Sequence, residues 1–210
     1  MKLADFLTPL PLVAVLRGIS PPEVPGVADA LTSAGFRVLE VTLNSPDPYD
    51  SIRALTARCG ATCLVGAGTV IDPSDVARVR EAGGRLIVMP HADPAVVRAA
   101  KAAGLVCAPG VATPTEAFAA IAAGADGLKM FPAEALPPAA LKAWRAVLPK
   151  DVPVFAVGGI RPETMAAYWA AGAAGFGTGS NLYRPGAALD EVRAAAAAFA
   201  AAVRALPPRS

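Results

Sequence analysis

One histidine, three cysteines and five lysines are all that this 210-residue chain has of three residue types on which much enzyme chemistry rests. A lone His91 cannot build a zinc site, and its place after Pro90 at a strand end marks it as a loop or rim residue. Cys59, Cys63 and Cys107 are odd in number, form no CxxC and have no histidine at ligand spacing, so they read as reduced, structural thiols. Although 54% of the residues are hydrophobic, no run of about 18 strongly apolar residues occurs, which argues against a membrane span. Asp5, Pro9 and Pro11 interrupt the N-terminal apolar stretch and no small-residue cleavage pattern follows, so the expected location is the cytoplasm. The net charge is only +2 and the basic residues are scattered rather than gathered into a stripe, which argues against nucleic acid as a partner. Small, uncharged or anionic metabolites are the expected partners.

What the chain does have is a regular alternation. Short β-branched runs at 12–16, 37–43, 62–67, 86–89, 105–108, 126–131, 152–157 and 175–179 predict eight strands. Alanine-rich stretches near 21–34, 47–58, 73–83, 93–103, 114–123, 138–148, 161–171 and 187–205 predict the helices between and after them. Pro73, Pro94, Pro114 and Pro162 fall in opening turns, where a missing N–H costs nothing. Five Ala-Gly pairs, at Gly35, Gly83, Gly104, Gly124 and Gly172, sit where helices should end. Eight β-then-α units in this length predict a single-domain α/β fold, the (β/α)8 TIM barrel, over residues 1–210; a doubly wound open sheet is the alternative. The last residues, 206–210, are expected to fray.

Strand parity then sorts the side chains. In "RVLEVTL" the aliphatic Leu39, Val41 and Leu43 should meet the helices, which turns Glu40 and Thr42 into the barrel. In "DGLKMF" the same parity sends Leu128 and Met130 outward and Gly127, Lys129 and Phe131 inward. Glu40 and Lys129 therefore share one space, near the strand ends where barrel enzymes carry their active sites, and Arg17 belongs to the same rim. A purely structural ion pair is the alternative, but such pairs seldom stabilise a fold relative to apolar filling. Lys129 is also the one lysine of the five in a strand interior. A lysine in a partly dry pocket is biased toward the neutral amine that attacks a carbonyl, and a carboxylate beside it can move protons.

Two glycine-rich segments follow the seventh and eighth predicted strands. "AVGGIRPETM" places Gly158 and Gly159 before a helix, and "GTGSNLY" adds Gly179 and Ser180. Both suit the approach of a backbone to an oxyanion, at the usual phosphate-binding strand ends of a barrel. "GAGTV" lacks the third glycine of a dinucleotide loop, which leaves Thr69 as a rim residue.

Taken together, "VAVLRG", "LEVTLNSP", "VGAGTV", "LKMFPAE", "VFAVGGI" and "GTGSNLY" resemble the 2-keto-3-deoxy-6-phosphogluconate and -galactonate aldolase family, over about residues 10–185. The resemblance implies a class I aldolase, with Lys129 as the imine-forming lysine and Glu40 as the proton shuttle. It implies Arg17, Thr69 and Pro90 around the pyruvate end and Gly158, Gly159 and Ser180 at the phosphate. Asn44 and Val157 stand where the phosphogluconate type has arginine and threonine, which points to the phosphogalactonate branch. The implied reaction yields pyruvate and D-glyceraldehyde 3-phosphate from a phosphorylated sugar acid, without metal or organic cofactor, in a homotrimer. The alternatives are a phosphogluconate-specific or dual-specificity aldolase and, more remotely, a phosphosugar isomerase or epimerase or a non-catalytic phosphometabolite-binding barrel.

Overall fold

In a computed structural model, which describes residues 3–208, every paired strand runs parallel to its neighbour. The strands are β1 (Leu12–Leu16), β2 (Val38–Thr42), β3 (Leu64–Gly68), β4 (Leu86–Val88), β5 (Val106–Ala108), β6 (Gly110–Val111), β7 (Leu128–Met130), β8 (Val154–Val157) and β9 (Gly175–Thr178). Their order is β5-β4-β3-β2-β1-β9-β8-β7-β6. The two ends of that order, β5 and β6, are separated in the chain by Pro109 alone, so the sheet closes on itself through one segment and forms a barrel. Eight strands are predicted and nine are found because Pro109 has no N–H to give to a ladder. The fifth predicted strand, 105–108, ends there as β5, paired with β4, and the chain resumes beyond Pro109, outside every predicted strand, as β6, paired with β7. Closure survives the split, since the Lys129 N–H donates to the Pro109 carbonyl at 2.8 Å.

Helices α1 (Val24–Ala34), α2 (Pro48–Cys59), α3 (Asp75–Glu81), α4 (Pro94–Ala102), α5 (Pro114–Ala122), α6 (Pro138–Arg145), α7 (Met165–Ala170) and α8 (Leu189–Arg204) fill the predicted intervals. Pro94 and Pro114 open their helices behind side-chain caps: Asp93 accepts from the Ala95 N–H, and Thr113 and Glu116 cap reciprocally. Pro162 and Pro21 instead open short 3-10 turns before α7 and α1, and Pro73 lies in the turn before α3. All five predicted helix-ending glycines have left-handed φ, between 74 and 102°.

Alternation along the strands builds two apolar layers. Leu12, Ala14, Leu16, Leu39, Val41, Leu128 and Met130 face the helices. Val13, Val38, Leu64, Leu86, Val106 and Phe155 fill the barrel, joined by Leu3 and Leu7 from the N-terminal segment. Leu3 packs against Gly127, just ahead of β7, and the Phe6 ring receives the guanidinium groups of Arg37 and Arg85 at 5.4 and 5.9 Å, just ahead of β2 and β4. The N-terminal segment thus closes the end where the strands begin. At the C-terminus, Leu206 packs against the outer layer and the Trp169 indole donates to the Pro207 carbonyl at 2.9 Å; the rest of the tail expected to fray, 209–210, is outside the described residues.

Candidate active site

Lys129 is the middle residue of a three-residue strand whose flanking side chains, Leu128 and Met130, are wholly buried against the helices. The alternation that satisfies them leaves the lysine no choice but the interior, where it is 6% exposed. Glu40 enters the same interior from β2 and is 1% exposed. Its neighbour strand makes room for it: a Cβ on Gly68 would lie 2.7 Å from both the Glu40 carboxyl carbon and Oε2. Thr42, the next inward residue of β2, is also buried and shares a hydrogen bond of 3.0 Å with Ser45.

Burial acts on these two groups in opposite directions. It pushes the Glu40 carboxyl above its ordinary 4.5, against the pull of the Lys129 and Arg17 charges. It draws the Lys129 ammonium below its ordinary 10.5, with Arg17 adding to the shift and Glu40 opposing it. Glu40 Oε2 has no hydrogen-bond partner among the described residues, and the Lys129 Nζ lies 4.6 Å from the Phe131 ring centroid. An acid biased toward keeping its proton therefore shares an inner space with an amine biased toward losing one.

Two spaces meet at Lys129. Inward lies a gap of about 20 Å³ that it shares with Glu40, walled by Val13, Val38, Leu86 and Phe155. Outward opens a cavity of about 550 Å³, of small-molecule size. Arg17, Val157, Gly158, Gly159, Gly179 and Ser180 line this outer cavity. Both strand-end glycines, Gly158 and Gly159, have left-handed φ, 106 and 64°, so substituting either would strain the backbone. Val157 reaches the cavity because β9 carries Gly177 beside it, where a Cβ would come within 2.7 Å of the valine.

Three predicted residues lie elsewhere. Asn44 is exposed on the segment after β2, Thr69 is half-buried after β3, and Pro90 is half-buried after β4 with Gly110 packed against its peptide; none lines either space. Thr69 has φ 57°, an uncommon conformation for a β-branched residue. Conversely, sequence reasoning assigned no role to Arg161, Arg184, Glu134 or Tyr183, all of which line the outer cavity. The signal was present, since Arg161 and Arg184 immediately follow "GGI" and "NLY", the ends of the two glycine-rich motifs. Three arginines against one glutamate give the mouth a positive balance suited to an anionic ligand. Among the described residues, no group of three or more His, Cys, Asp or Glu side chains could hold a metal ion.

Known proteins resemble the chain over most of its length. A probable 2-dehydro-3-deoxy-6-phosphogalactonate aldolase of Rhizobium meliloti is 50% identical over 192 residues, 91% of each chain. A 2-dehydro-3-deoxy-6-phosphogalactonate aldolase of Escherichia coli is 47% identical over 200 residues, 95% of this chain and 98% of that one. A solved structure of native KDPGal superposes with a TM-score of 0.93 at 46% identity, covering 97% of this chain and 98% of the other. The profile of one family matches residues 3–195, and with these relatives it shows that the chain belongs to the KDPG and KHG aldolases.

Proposed function

We propose that this aldolase acts on 2-dehydro-3-deoxy-6-phosphogalactonate, releasing pyruvate and D-glyceraldehyde 3-phosphate through an imine on Lys129. The observation that carries the reading is the placement of Lys129: a buried amine with a lowered pKa, open to a cavity of about 550 Å³ on one side and facing Glu40 on the other. The names of the relatives at 47 and 50% identity support the choice of substrate.

The steps follow from the two side chains. Neutral Lys129 attacks the C2 ketone, and Glu40 supplies and takes protons as the carbinolamine loses water to a protonated imine. The C4 hydroxyl then gives its proton to Glu40, directly or through water, and the C3–C4 bond breaks with its electrons passing into the imine. Glyceraldehyde 3-phosphate leaves first. Protonation of the resulting enamine at C3 and hydrolysis of the imine release pyruvate and restore the amine. Glu40 Oε2, with no hydrogen bond to the described residues, is free to serve these transfers. Arg17, at the mouth, pairs with the substrate carboxylate and sets the ketone against Lys129. Gly158, Gly159, Gly179 and Ser180 receive the phosphate. Thr69, Pro90 and Asn44 would act from the opposite part of the rim. The same proposal includes a homotrimer in the cytoplasm; among the described residues no helix is long and apolar enough to cross a membrane.

Of the two positions that distinguish the phosphogalactonate branch, Val157 lines the cavity and Asn44 does not. The test is pyruvate release from the galacto substrate and its C4 epimer side by side. A preference of about tenfold or more for the galacto compound, about 1.4 kcal/mol, supports the assignment. Equal rates would make the enzyme dual-specific, and no pyruvate from either would remove the aldolase reading of this site.

A further inference from the structure

The mouth of the barrel is laced together by one side chain that does not itself line the cavity. Glu23 stands in the 3-10 turn between β1 and α1. Its Oε2 accepts from the Ser20 N–H at 2.9 Å and the Ser20 hydroxyl at 2.5 Å. Its Oε1 reaches across to the segment between β9 and α8, accepting from the Tyr183 hydroxyl at 2.8 Å and the Gly186 N–H at 3.0 Å. Four donors on one carboxylate, two from each loop, make a bridge 160 residues apart in sequence. Burial alone would raise its pKa, but these donors outweigh it and hold the group at about 2, so the clamp is ionised at any ordinary pH.

The bridge continues on both sides. The Gly18 N–H donates to Ser45 Oγ at 2.8 Å, and Gly18 packs so closely on Pro185 that a Cβ there would come within 2.6 Å of its ring. Asn181 donates to the Ile160 carbonyl at 2.9 Å, which ties the same segment to the loop that carries Gly158 and Gly159. The segment held in this way contributes Ser180, Tyr183 and Arg184 to the wall of the cavity.

We propose that Glu23 is a positioning residue for anion binding: it fixes the segment after β9, and with it Ser180 and Arg184, against the glycine loop after β8. This rests on the reading that the glycine-rich end of the cavity takes the substrate phosphate. Lys129 and Glu40 stand on other strands, so the clamp should govern how tightly the phosphorylated end is held and leave the imine chemistry alone.

Glu23→Ala should raise KM for the phosphorylated substrate about tenfold or more with kcat within about threefold. Affinity for inorganic phosphate, measured by calorimetry, should fall in parallel, while the rate at which pyruvate and borohydride together inactivate the enzyme stays unchanged. Glu23→Gln, whose amide oxygen can still accept from Tyr183 and Gly186, should recover most of the affinity. Tyr183→Phe removes one of the four donors and should show a smaller rise in KM, which keeps the test open should the alanine variant fail to fold. Unchanged KM and phosphate affinity in folded Glu23→Ala, or an equal loss of trapping and phosphate binding, would overturn the proposal. Failure of the unchanged protein to be trapped by pyruvate and borohydride would instead count against the aldolase mechanism, with the phosphate titration still deciding the role of Glu23.

Discussion

Gly68→Ala is the substitution that best isolates the position of Glu40. The new methyl would sit 2.7 Å from the Glu40 carboxyl carbon and Oε2 and 2.9 Å from Oε1. Carbon contacts are comfortable from about 3.5 Å, so the carboxyl group must retreat by about 0.8 Å toward the barrel axis. The backbone itself accepts alanine, because φ at Gly68 is not in the left-handed region. Overpacking of this kind costs about 1–3 kcal/mol, which the fold should survive. Displacement of a proton-transfer group by a sizeable fraction of an ångström lowers turnover by as much as about 100-fold. Pyruvate release at saturating substrate should therefore fall by about 10- to 100-fold, with a melting temperature only a few degrees lower. Trapping by pyruvate and borohydride should slow as well, since loss of water from the carbinolamine needs the same carboxyl group. Wild-type kcat in a folded Gly68→Ala protein would show that the location of Glu40 does not matter to the reaction.

Lys129→Met should abolish pyruvate release and borohydride trapping while leaving the melting temperature unchanged or higher, because a buried ammonium is exchanged for an apolar side chain; residual turnover would refute the imine. Glu40→Gln tests linkage. A carboxyl whose folded pKa lies above its unfolded 4.5 contributes stability below that value and loses it as pH rises through the folded pKa. The advantage of the Gln variant over the unchanged protein in denaturant unfolding should thus widen as the pH rises above the unfolded 4.5, and a constant difference would contradict the raised pKa. Arg17→Ala should raise KM about 10- to 100-fold, the equivalent of one charge-assisted hydrogen-bond contact, with a much smaller effect on kcat; kinetics like those of the unchanged protein would remove its role.

Much of this barrel is legible from period and punctuation. Leu39 and Val41 against Glu40, and Leu128 and Met130 against Lys129, alternate so clearly that the two charged residues are directed to one space before any contact is known. The Ala-Gly pairs mark helix ends because left-handed φ is a local demand that glycine meets at little cost. Other features depend on what lies across the barrel. The break at Pro109 is visible as a proline, but its consequence, a fifth strand shared by two partners, depends on closure of the sheet. Arg161 and Arg184 are 23 residues apart along the chain, and only the parallel neighbours β8 and β9 bring their loops to one cavity. Asn44, Thr69 and Pro90 end strands on the same rim as Arg17, yet the cavity opens over β1, β7, β8 and β9 and passes them by. Glu23 reads locally as a helix-capping residue three positions after Ser20, and its bonds to Tyr183 and Gly186 exist because β1 pairs with β9. Side-chain direction along a strand is a local property written in alternate positions; which loops meet at a strand end is set by pairing between distant segments, and no local pattern encodes it.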